Sequence, residues 1–85
     1  MSATPENEPA QIDVRTLIPM QRHQKIFQLV AELAPGGAFV LINDHDPKPL
    51  YYQLEAEHPQ QFSWTYLESG PTVWRVLISK LVKAA

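Results

Sequence analysis

Ala38-Phe39-Val40-Leu41-Ile42-Asn43-Asp44-His45-Asp46-Pro47-Lys48-Pro49 joins two kinds of sequence at one point. The first five residues are a continuous apolar run, rich in β-branched side chains and bounded by turn residues, which predicts a short buried strand rather than a helix. The next seven are the least ordinary in the chain and lead into a helix over about Pro49–Glu57, stopped by His58-Pro59. Two starts for that helix stay open. Asp46 can cap it with Pro47 at the first helical position, or Pro49 pushes Lys48 out of the α region and delays the start.

Reading outward, Pro35-Gly36-Gly37 closes a helix over about Met20–Ala34, in which Ile26, Phe27, Val30 and Leu33 recur at spacings of three and four. Pro19 suits the first turn of that helix. Ile12-Asp13-Val14 precedes it as a short strand. Downstream, Phe62–Leu67 alternates as a strand, Glu68-Ser69-Gly70-Pro71 turns, and Val73–Ile78 returns as a hairpin partner. The order is β-α-β-α-β-β. A right-handed crossover makes the first two strands parallel and puts both helices on one face. The fold class expected is therefore an α/β (α+β) two-layer sandwich with a mixed four-stranded sheet.

The 85 residues include no cysteine, which excludes disulfides, thiolate nucleophiles and Cys-ligated zinc. A 45% hydrophobic content is enough for a folded chain held by packing alone. The net charge of −2 argues against nucleic acid as a partner, since such modules usually carry a basic stripe. No apolar run approaches the ~20 residues that span a bilayer, so no membrane partner is expected. Residues 1–11, polar and acidic with Pro5 and Pro9, have neither the basic nor the apolar region of a secretory signal. They read as a disordered tail before a domain over 12–80, with a second tail over 81–85, and a cytoplasmic location is expected by default.

Ligands in such folds tend to sit beyond the carboxyl ends of the parallel strands. The residues gathered there are Arg15, Arg22 and His23 from the first connection, and Asn43, Asp44, His45, Asp46 and Lys48 from the second. The hairpin turn at Glu68–Gly70 reaches the same edge if the hairpin spans the sheet. His58 lies at the other end of its helix, roughly 14 Å away at ~1.5 Å per residue, and belongs to no site with His45. For Asp44-His45-Asp46 three readings stand: a helix cap with a solvated turn, a small-anion or ligand site, and a metal site completed by His23. The anion reading rests on Arg15, Arg22, Lys48 and two helix amino termini. Against it, Pro47 and Pro49 remove two donors and two aspartates add negative charge. His23 precedes Ile26, Phe27 and Val30 by three, four and seven residues, along the buried stripe, which favours a packed residue over a ligand. No serine motif or paired carboxylate supports acid–base chemistry.

Aromatic residues crowd the second half. Phe62, Trp64 and Tyr66 share one face of their strand, and Trp74 shares one with Val76 and Ile78. Helices cover a single face of the sheet, so either the open face is apolar and forms a protein interface, or the rings fill one small core. Homodimerisation through the open face or an edge strand goes with the first alternative.

Ile12–Pro19, Asn43–Leu50, Trp64–Pro71 and Trp74–Val76 closely resemble a bacterial family catalogued as domain-of-unknown-function family 2249 (DUF2249), across residues 12–80. That family is similar to the TusA/SirA sulfur carriers, which have the same β-α-β-α-β-β order, and some members are fused to hemerythrin-like domains or linked to nitrogen-oxide metabolism. The carriers use a cysteine in a Leu-Asp-x-x-Gly-Leu-x-Cys-Pro-x-Pro pattern. Here Ile12, Asp13 and Leu17 match, Thr16 replaces the glycine, and Pro19 falls where the cysteine would be. A persulfide needs a thiolate, so no persulfide-carrier activity is expected. The function expected is that of a non-enzymatic binding or interaction domain of this fold without cofactors, acting with a protein partner or a small anionic ligand. The alternatives are a metal- or redox-associated accessory domain using His23, His45 and an aspartate, and a cofactor-free enzyme with histidine acid–base chemistry.

Overall fold

A computed structural model describes residues 9–82. The elements are β1 (Ala10–Asp13), α1 (Pro19–Glu32), β2 (Ala38–Asn43), α2 (Lys48–Glu57), β3 (Phe62–Ser69) and β4 (Trp74–Lys80). The expected order and the mixed four-stranded sheet are as read from the sequence. The strands lie in the order β1-β2-β4-β3, with β1 parallel to β2 and the other pairs antiparallel. Because β3 and β4 form a hairpin, either could have flanked β2. It is β4 that does, and its Val76 and Ile78 are fully buried.

Boundaries shift by at most two residues. β1 opens at Ala10, ahead of the expected Ile12, because Gln11 pairs with Val40 through backbone groups that need no apolar side chain. The rest of the expected tails, residues 1–8 and 83–85, lies outside the described residues. Val14 leaves the strand yet still donates its N–H to the Ile42 carbonyl at 3.0 Å and is completely buried. α2 starts at Lys48: Pro47 takes the cap position, and the Asp46 carboxylate accepts the Lys48 N–H at 3.1 Å. Asp46 thus caps the helix from one residue further out than expected. β3 runs on to Ser69 through a bulge at Leu67, which twists the exposed edge strand and blunts it against pairing.

One row of side chains crosses the sheet through Ile12, Leu41, Val76 and Tyr66, and a second through Phe39, Ile78 and Trp64. Phe39, Leu41, Val76 and Ile78 pack with Val14 and Phe62 against Ile26 and Val30 of α1 and Leu54 of α2. Both helices therefore cover the same face. The aromatic rings lie on this covered side: Phe62 is in the core and Trp64 packs against it. The opposite face carries Val40, Ile42 and Leu77 between polar neighbours, including Gln11, Asp13, Thr65, Arg75 and a Ser63–Ser79 hydroxyl pair. It has no aromatic patch. The alternation of the strands, applied to the observed register, turns every ring of β3 and Trp74 toward the helices.

The hairpin closes at Gly70, whose φ of +77° suits glycine and where a Cβ would come within 2.7 Å of the Trp74 ring. Ser69 and Asn43 both lie opposite Trp74, so this turn does reach the edge where β2 ends.

Leu41 stands at the centre of the core with no exposed surface. Leu41→Ala is expected to cost about 3 kcal/mol, a large share of the ~5–10 kcal/mol a domain of this size holds. Leu67→Ala, at the 45% exposed bulge, should cost no more than about 0.5 kcal/mol. Urea unfolding of the two variants beside the parent chain measures the contrast.

Candidate functional site

The β1–α1 and β2–α2 connections leave the same edge of the sheet side by side, and one side chain ties them together. Arg22, in the first turn of α1, donates from Nε to the Leu17 carbonyl at 2.7 Å and from Nη2 to the Arg15 carbonyl at 3.0 Å. Both acceptors belong to the first connection. Across the edge, Nη1 donates to Asn43 Oδ1 at 2.8 Å and Asp44 Oδ1 at 3.0 Å, and Nη2 reaches Asp44 Oδ2 at 3.2 Å. A guanidinium has five N–H groups, and all five are engaged. Arg22 is therefore a clasp between two loops, and the anion-binding role expected of it is taken by the protein's own oxygens.

Asp44 is held ionised well below the usual carboxylate range, chiefly by its hydrogen bonds from Arg22 and then by the one from His45 Nδ1 at 2.7 Å. Arg15 is likewise turned away from any ligand. Its Nε and Nη2 form a fork on the two oxygens of Asp13 at 2.9 and 2.6 Å. That fork, with the Arg15 backbone N–H, draws the Asp13 pKa down to about 2. Both pairs are solvent-exposed on at least one side, so salt screens them.

Beside the clasp lies a cleft of about 270 Å³ between the first turns of the helices. Pro19, Ile26, Pro47, Pro49 and Leu50 form its apolar surface; Arg22, His23, Asn43, His45, Asp46 and Gln53 supply the polar one. Of the expected residues, Arg22, His23, Asn43, His45 and Asp46 come together here. Asp44 stands behind Arg22, and Arg15 contributes only a carbonyl. Lys48 points elsewhere, into a neighbouring groove with Tyr51, Phe62, Trp64 and Tyr66. The first turn of α2 separates the two hollows.

His23 is exposed instead of buried. Its ring lies 4.6 Å from that of Phe27, and its Nε2 meets Gln53 Oε1 of α2 at 3.1 Å, so its neighbours are helical and not part of the sheet. His58 packs on the Phe62 ring at 5.8 Å, at the far end of α2 as expected. Among the described residues, no three histidine or acidic side chains are placed to hold a metal ion. His23 and His45 do not converge on a common carboxylate: one imidazole is hydrogen-bonded to Gln53, the other to Asp44.

Two partners were not legible in sequence. Gln53 lies one helical turn after Leu50, a spacing that does signal a shared face, but nothing local says which face meets α1. Tyr66 donates its hydroxyl to Asp46 Oδ1 at 2.8 Å across twenty residues. Partial burial is the main reason its phenol titrates above the usual range; the bond to Asp46 adds to this, and the nearby Trp64 indole N–H opposes it. That N–H is itself buried and falls short of hydrogen-bond geometry with any described residue.

Fold and site together define a small two-layer α/β domain with a mixed sheet and a cleft at the carboxyl edge of its parallel strands. A family model described as "Uncharacterized conserved protein (DUF2249)" matches residues 11–80, and the chain belongs to that family. No curated protein and no solved structure matches it. Among the described residues no helix is long and apolar enough to cross a membrane.

Arg22→Lys is expected to destabilise the domain by about 2 kcal/mol, because one ammonium cannot satisfy acceptors spread over both loops. Urea unfolding gives the loss, and amide exchange should quicken at Leu17 and Asp44 before it does in the core strands. The pH dependence has a definite sign. Asp44 has a lowered pKa in the folded state, so its contribution is complete above the ordinary carboxylate value of 3.8 and is withdrawn as pH falls through the folded value. Stability should thus be unaffected by this pair from neutral pH down to about 5 and decline below about 4; Asp44→Asn should flatten that decline in acid-unfolding curves.

Proposed function

We propose that this chain is a non-enzymatic binding domain, of a fold related to the TusA/SirA carriers but without their persulfide chemistry, and that the cleft between the helix amino termini is its recognition site. The observation that carries the reading is the state of the polar groups around the cleft. Its one guanidinium is fully engaged, and its two imidazoles each keep one ring nitrogen, His23 Nδ1 and His45 Nε2, without a partner among the described residues. Such a wall can recognise a molecule by hydrogen bonds. It offers little to a reaction: no serine, threonine, tyrosine or cysteine lines the cleft to act as a nucleophile, and the Asp46 carboxylate already accepts the Lys48 N–H and the Tyr66 hydroxyl.

The strand and helix order supports the carrier relationship, as does the agreement of Ile12, Asp13 and Leu17 with the carrier pattern. Pro19 occupies the first position of α1, where that pattern has its cysteine, and the chain contains no thiol to replace it. A bacterial source and a cytoplasmic setting go with this family reading. The occupant is a small molecule or a side chain presented by a partner protein. For the latter, Ile18 and Met20, 60% and 69% exposed, flank Pro19 in the chain and leave apolar surface next to a residue that lines the cleft.

The test is a screen of small molecules by amide NMR on the full chain, repeated with His45→Ala and Lys48→Ala. Hits should shift Ile26, Asn43 and Leu50. His45→Ala should weaken them threefold to tenfold, the worth of about one hydrogen bond, and Lys48→Ala, in the other groove, should leave them unchanged. Hits that respond to Lys48→Ala and ignore His45→Ala would place recognition in the aromatic groove. A stoichiometric metal in the purified protein, lost on His45→Ala, would replace this reading with the metal-associated one.

A further inference from the structure

Asn43 is 5% exposed, and its place in the hydrogen-bond network fixes which way its amide points. Two donors, Arg22 Nη1 at 2.8 Å and the Asp44 backbone N–H at 2.9 Å, converge on one atom of the amide, which must therefore be the oxygen. The amide nitrogen is left without a protein partner among the described residues, in a side chain that lines the cleft. It is not sealed from solvent either, since the only sealed and unpartnered side-chain donor among those residues is the Trp64 indole. A buried side chain that lines the hollow thus keeps N–H donors with nothing of the protein's own to receive them among the described residues.

The charges around the cleft decide what kind of acceptor suits this donor. Arg22 has no N–H to spare, and turning it away would strand the Leu17 and Arg15 carbonyls. Arg15 is forked on Asp13, and Lys48 faces the other groove. The amino end of α2 offers an anion nothing: Pro47 and Pro49 have no N–H, Lys48 N–H goes to Asp46, and the Leu50 and Tyr51 N–H groups both go to the Pro47 carbonyl. Of the first residues of α1, Pro19 has no N–H and Arg22 N–H is taken by Ile18, while Met20 and Gln21 do not line the cleft. The Asp46 carboxylate, which does line it, opposes negative charge. His23 and His45 each direct one ring N–H at a protein oxygen, of Gln53 and Asp44, which in the neutral ring leaves the other nitrogen an acceptor. The apolar surface is proline rings with Ile26 and Leu50, and a volume near 270 Å³ exceeds the ~150 Å³ apolar cavity that accommodates benzene.

We infer that the cleft takes a neutral molecule of one or two flat rings bearing a carbonyl or similar acceptor, with the ring on the proline–leucine surface and the acceptor on the Asn43 amide N–H, and that it does not take a small anion. The inference rests on the cleft being the recognition site, and it specifies the ligand class for that site.

Benzamide and benzoate share ring and shape and differ in charge, so the pair tests the inference directly, with inorganic phosphate as a third probe. In NMR titrations of the full chain, benzamide should move the Asn43 side-chain amide and the backbone signals of Ile26 and Leu50 saturably. Benzoate should bind at least tenfold more weakly, and phosphate should leave these signals in place. Asn43→Asp keeps the oxygen that Arg22 and the Asp44 N–H require but removes the donor, and should weaken benzamide about tenfold. If its amide spectrum reveals a disturbed fold, Leu50→Trp, which fills the hollow, should abolish the response instead. Benzoate or phosphate binding at the cleft as well as benzamide would overturn the ligand class and leave the site standing. No saturable response there to any of the three would overturn the site as well. Benzamide binding undiminished by a folded Asn43→Asp, or by Leu50→Trp, would overturn the placement.

Discussion

Two loops at one edge of a small sheet would ordinarily be its most mobile part, since neither has regular backbone bonding and both face water. In this domain a single arginine side chain, only 16% exposed, reaches four residues of that edge at once: Arg15 and Leu17 in the first connection, Asn43 at the end of β2 and Asp44 just after it. The geometry of the rest of the edge follows. Asn43 is fixed in one orientation because Arg22 holds its oxygen, Asp44 is fixed because both its oxygens are bound, and His45 is then held by Asp44. The cleft exists because the clasp stands at its side and the helix turns on either side of it are rich in proline, where φ is already restricted.

The same arrangement explains why positively charged residues near a helix terminus do not make an anion site by their number alone. Each of the three basic residues in the expected set has a prior engagement or faces away: Arg15 with Asp13, Arg22 with its loops, Lys48 with the aromatic groove. What remains at the cleft is the Asn43 amide, two imidazoles, Gln53 and the Asp46 carboxylate beside apolar surface. On the proposed relationship to carriers whose chemistry depends on one thiol at the start of α1, this edge has a proline in that place.

Much of the site was legible because local rules brought it close. The apolar run 38–42 made a strand, the run of turn residues after it had to sit at that strand's end, and the parallel crossover brought Arg22 and His23 to the same edge. The places where the reading went astray share a cause. His23 follows the apolar spacing of α1, but the helix begins beyond the sheet, so its first turn meets α2 and solvent. Lys48 and Leu50 are two residues apart, and on a helix that separation sends them into different hollows. The rings of Phe62, Trp64 and Tyr66 share a face by simple alternation, but which face is covered depends on how β3 is registered against β4.

The sequence by itself determined the element order, the parallel first pair, the lack of any thiol chemistry, and the residues Asn43–Lys48 as the polar centre of the edge. These follow from periodicity, turn chemistry and composition, all of which act between near neighbours. Tertiary structure alone decided that β4 lies between β2 and β3, that Tyr66 reaches Asp46, and that Arg22 uses every donor it has within the protein. Those depend on strand register and on which acceptors lie within about 3 Å of a donor. Distances of that kind arise only when segments twenty residues apart are packed together.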